Sequence, residues 1–565
     1  MLSIRKIGVI GRTYRHLNRY RQILTVLFRY GFGDLIDRLN IEQYIEVGLQ
    51  MISKKRRERV ERLTRAERLR MAFEELGSTY VKLGQALSAR PDLIPADFIT
   101  ELAKLQDKVP SFPFSDVEQI IENELAAPVS DLFDAFEPVP LASASIGQVH
   151  RARLKDGEAV AVKVQRPHIK RTVEVDLEIM LHLATLMERN IEEAALHRPV
   201  KIVEEFARSL EKETDYILEA SNIERFARNF LDDPTLFVPK VFHDHCSSRV
   251  LTMEFVDGIK ISEIELLEDA GIDRRVVTRR GADLILRQVF DHGFFHADPH
   301  PGNIFVLPGN VICLLDFGMS GAVDRRTRED FVDLLDAIVN REEYRATQVL
   351  LKFTTWEIEP DIRMLEKEVA EFMGKHLYKP LKNIKIGPLV HNLFELVAVH
   401  RLRIPPDIFL VMKALSTVEG VALMLDPEFN MVAQAAPFIK KIKLARVYPQ
   451  RIAADLMRVG MEMIQFAQQF PKDILEIARL IKQQKLTVKM EHQGLKAMLA
   501  THDQISNRIS FSIIIAALIV GSALIVISKT PPFVFGISLI GMVGFLAAAV
   551  MGIWLLVAIL KKGRL

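Results

Sequence analysis

Two stretches of the chain place acids and an amide where phosphate chemistry needs them. Residues 294–306 read FFHADPHPGNIFV and residues 311–318 read VICLLDFG, so Asn303 follows Asp298 by five positions and Asp316 follows Asn303 by thirteen. That order and spacing follow the logic of a kinase catalytic loop trailed by a metal-binding Asp. Phosphoryl transfer needs little covalent help and much positioning and charge neutralisation. Asp298 suits the role of accepting the proton of an attacking hydroxyl or orienting a water. Asn303 and Asp316 are hard oxygen donors suited to Mg²⁺, which keeps several waters and bridges phosphates. Upstream, EAVAVKVQ over 158–165 alternates as a strand does and carries Lys163. Lys163 would hold the phosphates of ATP or ADP once a carboxylate fixes it. The candidate is Glu219, on a predicted helix in the acidic stretch 211–219. Asp298, Lys163 and Glu219 are therefore the candidate catalytic set.

A nucleotide site of this kind needs a covering loop before the lysine strand, ordinarily rich in glycine. Here Ala142, Ser143, Ala144 and Ser145 occupy that place, followed by a single Gly147. The backbone is stiffer than a Gly-rich loop and its phosphate contacts must differ. The stretch 251–258, LTMEFVDG, reads as a strand and hinge whose backbone, around Glu254 and Val256, would meet an adenine ring. His296 and His300 sit four apart, a spacing that pairs metal ligands on a helix, but Pro299 and Pro301 forbid a regular helix there. They read as loop-positioning residues.

The elements that must hold these groups belong to a large chain. Its 565 residues are 49% hydrophobic and 26% charged, room for one two-lobed enzyme with extensions. Cys246 and Cys313 lie in no ligand-like spacing, which excludes a disulfide scaffold or a Cys-based zinc site. The formal charge of +2 hides an uneven distribution. Residues 1–70 hold 17 Lys/Arg against 7 Asp/Glu, residues 509–565 hold four cations and no acid, and the region between is net −12. An acidic body argues against nucleic acid as a partner.

Both basic ends point to a membrane. Residues 509–528 and 533–560 carry no charge, and a helix of about 20 residues spans the ~30 Å hydrocarbon layer. Arg508, Lys561, Lys562 and Arg564 flank the pair, against Lys529 alone in the turn, so the positive-inside bias puts both ends in the cytoplasm. Ala517/Gly521 and Ala548/Gly552 are small-residue pairs for close helix approach, within the pair or in a homodimer. At the other end, Arg5, Lys6, Arg12, Arg15, Arg19, Arg21 and Arg29 precede any acid. No signal peptide fits, since the apolar run 23–28 is short. A basic arm on anionic lipid, a transit peptide and, for Lys54 to Arg70, a solvated helix face with Glu58, Glu61 and Glu67 are the readings that stand.

Together these residues resemble the UbiB family of atypical, protein-kinase-like ATPases, whose members support ubiquinone biosynthesis. The likeness is strongest over Arg68–Gly321 and extends to the C-terminal span pair, which is similar to the anchor of bacterial members. Its most specific mark is Lys82-Leu-Gly84-Gln85, matching the family's K-x-G-Q on a helix ahead of the kinase-like lobes. The family's E-x-D falls on Glu213 and Asp215, its helical Glu on Glu219, its alanine-rich loop on Ala142–Ser145, and its H-x-D-x-H-P-x-N on His296–Asn303, with Ala297 where ordinary kinases carry Arg. The resemblance implies that the K-x-G-Q helix lies over the protein-substrate site with Lys82 held by Glu213 and Asp215. That arrangement disfavours protein phosphorylation and leaves ATPase activity responsive to membrane lipid and phenols. The stretch from Gly318 to the next predicted helix near Thr327 agrees, leaving no room for a long activation segment.

The expected fold is α+β: a protein-kinase-like two-lobed body with an N-terminal helical extension and a C-terminal two-helix transmembrane hairpin. Its expected divisions are a basic arm (1–67), the extension (68–130), an N-lobe (131–258), a helical C-lobe (259–445), a helical stalk (446–508) and two spans (509–560). Residues 485–490 alternate and read as a short strand. The expected function is that of a Mg²⁺-dependent atypical kinase or ATPase, using ATP/ADP and supporting ubiquinone or another isoprenoid quinone. The alternatives are a kinase for a protein or small molecule and a nucleotide-binding pseudokinase scaffold. The expected location is the bacterial inner membrane, and the expected partners are anionic lipid and quinone-pathway enzymes or lipid intermediates.

Overall fold

The computed structural model describes residues 13–39, 63–88, 90, 93–105, 109–191, 194, 198–356, 359–377, 385–446, 448–482, 495–534 and 537–562. They fall into two compact units, divided after Ile452.

The first unit opens with the helices α1 (Thr13–Arg29), α2 (Gly33–Arg38), α3 (Arg65–Leu76), α4 (Ser78–Ser88) and α5 (Ala96–Leu102). Thr64 and Glu67 cap each other's backbone N–H groups at the start of α3, which fixes where that helix begins. Ile23, Leu24, Phe73, Leu76, Tyr80 and Leu102 share one core, so α1 and α2 are packed elements of the extension. Within the stretch read as a basic arm, these two helices are packed against the chain. Arg19 donates from Nε to Asp176 Oδ1 at 2.7 Å and from a terminal nitrogen to the Leu76 carbonyl, and Arg29 pairs with Glu75. Residues 1–12 and 40–62, including Arg5, Lys6 and Lys54, lie outside the described residues.

Next come α6 (Phe114–Leu125), α7 (Val129–Leu132), β1 (Phe133–Phe136), β2 (Ala142–Ser143), β3 (Gly147–Leu154), β4 (Ala159–Gln165), α8 (Ile169–Asn190), α9 (Pro199–Glu213), α10 (Tyr216–Asn229), β5 (Leu236–Phe237) and β6 (Val250–Glu254). The strands β1-β3-β4-β6 form an antiparallel sheet, with β2 added to β3. Alternation along β4 decides what each face does. Val160, Val162 and Val164 point into a core shared with Val117 and Ile121 of α6, so Ala161 and Lys163 must face the other way.

The C-lobe continues through β7 (Ile259–Lys260), α11 (Ile264–Asp269), α12 (Arg274–Arg287), β8 (Phe294–His296), β9 (Ile304–Leu307), β10 (Val311–Leu314), β11 (Ser320–Ala322), α13 (Arg325–Val339), α14 (Glu343–Phe353), α15 (Ile362–Leu377), α16 (Ile386–Val399), α17 (Pro406–Leu425) and α18 (Met431–Arg446). A small sheet runs β5-β10-β9-β7. The chain leaves α12 through a π-turn over Gln288–His292 and reverses at Gly293, whose φ of +64° is open to glycine without strain. Helix α17 is apolar on nearly every side because it is the lobe's central helix: Ile408, Val411, Met412, Ala414 and Leu415 are all buried.

The second unit holds α19 (Pro449–Lys482), α20 (Leu495–Ile527), the two-residue strands β12 (Phe533–Val534) and β13 (Ile537–Ser538), and α21 (Leu539–Lys562). Among the described residues three helices are long and apolar enough to cross a membrane: α17, Ile505–Ile527 of α20 and Leu539–Leu556 of α21. The last two leave Ile513, Val520, Leu524, Leu546, Val550 and Ile553 exposed. They pack on each other where a Cβ at Gly544 would lie 2.1 Å from Ser522 Oγ and one at Gly541 would lie 2.5 Å from Val526. Of the small pairs read from the sequence, Ala548 is buried, whereas Gly521 and Gly552 have nothing near a built Cβ. The strand read at 485–490 lies outside the described residues.

Candidate active site

The lysine of β4 meets its carboxylate by way of one helix cap. Asp215 Oδ1 accepts the N–H of Ile217 at 3.0 Å and so starts α10, which puts Glu219 in the first turn, facing β4. Lys163 Nζ donates to both Glu219 oxygens at 2.9 Å and lies 3.4 Å from Asp316 Oδ1. Burial pulls the ammonium's pKa down, but the carboxylates of Asp316 and Glu219 outweigh it and hold Lys163 well above its ordinary value. Burial likewise pushes the Glu219 carboxyl up, against the ammonium beside it. Tyr216 closes the floor, with its ring 5.2 Å from Lys163 Nζ. Its hydroxyl lies 2.4 Å from where a Cβ on Gly147 would stand, so only glycine fits at the start of β3.

A hairpin brings the catalytic loop and the D-F-G sequence together. The β9–β10 ladder pairs Ile304 with Leu314, and Leu315 donates its N–H to the Asn303 carbonyl at 2.9 Å, so Asn303 and Asp316 emerge from the same end. The thirteen-residue spacing is thus the length of a hairpin. Asp316 adopts φ +59°, a left-handed conformation that an Asp tolerates at some cost and that marks the site as constrained. The Lys163 ammonium holds its carboxyl well below the usual carboxylate range, with Lys82 adding to the effect. Phe317 is fully buried against Phe226 and His296, which anchors Asp316 from behind.

His296 Nδ1 accepts the Asp298 N–H at 3.2 Å, its Nε2 faces the Leu315 carbonyl at 3.3 Å, and Gln288 Oε1 accepts its backbone N–H. Burial pushes this imidazole's pKa down, which keeps it neutral and able to accept at one nitrogen and donate at the other. His300 Nδ1 accepts the Gly302 N–H within the 301–303 turn. The two histidines act on the loop itself, and no group of three or more metal-ligating His, Cys, Asp or Glu side chains exists among the described residues. Asn303 turns its amide nitrogen to the Asp298 carbonyl at 3.5 Å, leaving its oxygen for a cation.

The covering loop and the extension close the cleft. Ala142 and Ser143 pair with β3, Ala144 donates to the Gly147 carbonyl, and Ser145 is buried. Arg166, which the sequence did not single out, clasps this loop by donating to the Ala144 carbonyl and to Ser143 Oγ, each at 2.9 Å. Glu254 ends β6, with Val256 half-buried in the hinge after it. On α4, Lys82 Nζ lies 3.1 Å from Glu213 Oε2. Gln85 donates to the Leu105 carbonyl at 3.2 Å, and buried Gly84 lets α4 approach Leu105 and Phe73. Beyond Gly318 the chain enters α13 at Arg325, capped by Asp324. A further side chain enters from far along the sequence: Lys413 of α17 lies 3.0 Å from Asp298 Oδ1. Its one trace in the sequence is a single basic residue in a largely apolar helix.

Comparison with known proteins agrees with this geometry. The model of the ABC1 atypical kinase-like domain matches residues 104–350, that of the UbiB helical domain 369–430, and that of the ABC1/UbiB kinase-like C-terminal domain 493–561. A Clostridium pasteurianum protein, described as an uncharacterized protein in the hydrogenase 1 5'region, is 31% identical, covering 97% of this chain and 99% of its own. A probable protein kinase UbiB of Pseudomonas aeruginosa is 36% identical, over 73% of this chain and 78% of its own. Among solved structures, the complex of Rv3197 with erythromycin from Mycobacterium tuberculosis aligns with a TM-score of 0.46 at 23% identity, covering 65% of this chain and 93% of that one. With a kinase-like body of mixed helix and sheet, and relatives above 30% identity along most of its length, the chain belongs to the UbiB family of atypical kinases.

Proposed function

We propose that this protein is a membrane-anchored, Mg²⁺-dependent ATPase of kinase-like chemistry that supports ubiquinone or a related isoprenoid-quinone pathway. The observation that carries the reading is the convergence of Lys163, Glu219 and Asp316 within 3.4 Å, on the hairpin that also presents Asn303. Lys163 holds the nucleotide's phosphates, fixed by Glu219, while the loop clasped by Arg166 covers them and the 254–256 hinge meets the base. Asp298 takes the proton from an attacking water or alcohol as its oxygen bonds to the γ-phosphorus. The bond from phosphorus to the bridging oxygen breaks, ADP leaves with that electron pair, and the proton passes from Asp298 to solvent.

The donor set fits Mg²⁺, one carboxylate and one amide oxygen with phosphates and waters completing the sphere, so Asp316 and Asn303 would hold it. When bound it neutralises charge on the phosphates. Asp316 is suited because the cations around it keep it ionised. Lys82, tied to Glu213 beside the same carboxylate, favours water over a bulky protein acceptor.

Helices α20 and α21 form the membrane anchor, with both chain ends on the cytoplasmic side. Their length, their uncharged sequence and their outward apolar side chains support this reading. The test is ATP hydrolysis by the purified full chain in vesicles containing phosphatidylglycerol. Wild type turns over with Mg²⁺ and Asp316→Asn does not; a variant that still hydrolyses ATP refutes the assignment. Quinone profiling of a strain lacking the gene, restored by wild type and not by Asp316→Asn, tests the pathway.

A further inference from the structure

We infer that Lys413 is a catalytic residue, a cation brought into the cleft from helix α17 to engage the γ-phosphoryl group as it transfers. The inference rests on the kinase-like reading of the site given above. The catalytic loop from Ala297 to Asn303 contains no lysine or arginine, and its one exposed basic side chain, His300, spends Nδ1 on accepting the Gly302 N–H of its own turn. Lys163 and Lys82 both act on the Asp316 side of the cleft. The Asp298 side would therefore present a bare carboxylate to the equatorial phosphoryl oxygens, where negative charge concentrates during transfer. Lys413 Nζ, 3.0 Å from Asp298 Oδ1, is the cation found there.

Three features separate this contact from an ordinary surface pair. Lys413 is 27% exposed and Asp298 31%, so the pair is reached by solvent and an incoming phosphate can engage the ammonium's remaining protons. Half-buried, partly solvated pairs of this kind add little to stability, so stability alone does not account for the only lysine or arginine of helix α17. The backbone carrying it is also rigid. Met412, Ala414 and Leu415 on either side are buried, and Phe409, one turn earlier, is covered by the Arg90 guanidinium 5.3 Å from its ring. Arg90 follows the K-x-G-Q helix, so the extension meets α17 one turn before Lys413. The arrangement is that of an arginine finger supplied in cis, with lysine as the cation. Lys413 forms no covalent bond. It aligns the Asp298 carboxylate in the resting site, 3.0 Å away, and shares its charge with the γ-phosphate when nucleotide binds.

The experiment compares Lys413→Ala, Lys413→Gln and Lys413→Arg with wild type, as full chains in the same vesicles. It measures ATP turnover and the Mg²⁺-dependent affinities for ADP and for the β,γ-imido analogue of ATP. Removing the ammonium should lower kcat by about a hundredfold, the scale of a lost preorganised charge at a transition state. It should weaken the imido analogue about tenfold relative to ADP, with ADP affinity nearly unchanged, because only the analogue carries a γ-phosphate; Lys413→Arg should recover much of both. A merely structural role would leave the analogue-to-ADP ratio alone. The inference is overturned by an unchanged ratio, by turnover close to wild type, or by turnover that rises, which would make Lys413 a block on Asp298. If wild type hydrolyses no ATP the functional reading fails, and the affinity ratio alone decides the role of Lys413. Should the Ala variant fold poorly, the Gln variant supplies the same comparison.

Discussion

Replacing Glu219 by glutamine tests the site at its most buried charge. The amide keeps the side chain's volume and removes its charge, 2.9 Å from an ammonium whose only other close carboxylate in this cleft is Asp316 at 3.4 Å. At an effective dielectric near 20, a pair at 2.9 Å attracts by about 6 kcal/mol and one at 3.4 Å by about 5 kcal/mol. Stripping one partner from a buried pair costs about 3–5 kcal/mol net, and Asp316 remains to hold Lys163, so a loss near 3 kcal/mol is expected. In a unit of this size each kcal/mol moves the melting point by about 2 °C, which places the variant about 6 °C below wild type. Function should suffer more than stability. With Glu219 neutral, Lys163 settles on Asp316, leaves the phosphate position and crowds the metal ligand, and turnover should drop by about 10²–10³. Thermal unfolding of the nucleotide-free full chain and ATP hydrolysis in vesicles measure the two effects. A Glu219→Gln protein that melts with wild type and turns over at a similar rate would refute the assignment of Glu219 as the anchor of Lys163.

Two further outcomes follow from packing and from proton linkage. Gly84→Ala should destabilise the chain by about 1–3 kcal/mol, since its Cβ would lie 2.3 Å from Leu105 Cδ1 and 2.9 Å from Phe73 Cδ2. Gly420→Ala, exposed in helix α17 with nothing near its built Cβ, should gain up to about 1 kcal/mol, so opposite shifts in melting temperature check the pair. His150 and His296 are fully buried with pKa values lowered by burial, so the unfolded chain binds their protons more readily than the folded one. Stability is then full above about pH 6.5 and falls as the pH drops below it, by up to about 1.4 kcal/mol per pH unit for each group. Melting curves between pH 7.5 and 5.5, with His150→Gln flattening the slope, test this; a slope that persists unchanged in the variant counts against it.

Much of the site is visible in the sequence because its geometry is local. The β4 alternation aims Lys163, the Asp215 cap aims Glu219, and a hairpin's length fixes the distance from Asn303 to Asp316. Two of the groups around it leave little trace, for different reasons. Arg166 directly follows the lysine strand, yet its partners are chiefly the Ala144 and Pro110 carbonyls, and backbone acceptors have no signature in residue type. Lys413 lies 115 positions from Asp298, and only the tertiary path of α17 brings them together. Two of the N-terminal cations show the same limit: Arg19 and Arg29 read as unpartnered in the sequence, and Asp176 and Glu75, distant along the chain, pair with them. The small-residue pairs of the last two helices are only partly informative, because composition marks close approach without its register: Ala548 is buried, but the glycines at the contact are Gly541 and Gly544.

Because Asn303 and Asp316 leave the same end of the β9–β10 ladder, joined by the bond from the Leu315 N–H to the Asn303 carbonyl, they form one mechanical part. Any opening of the cleft stretches the contact between Lys163 and Asp316, which spans the two lobes, while the separation of the two oxygen donors stays constant. If Mg²⁺ is held as proposed, one hairpin fixes the spacing of its two protein donors, and any change of cleft width falls on the Lys163 contact instead.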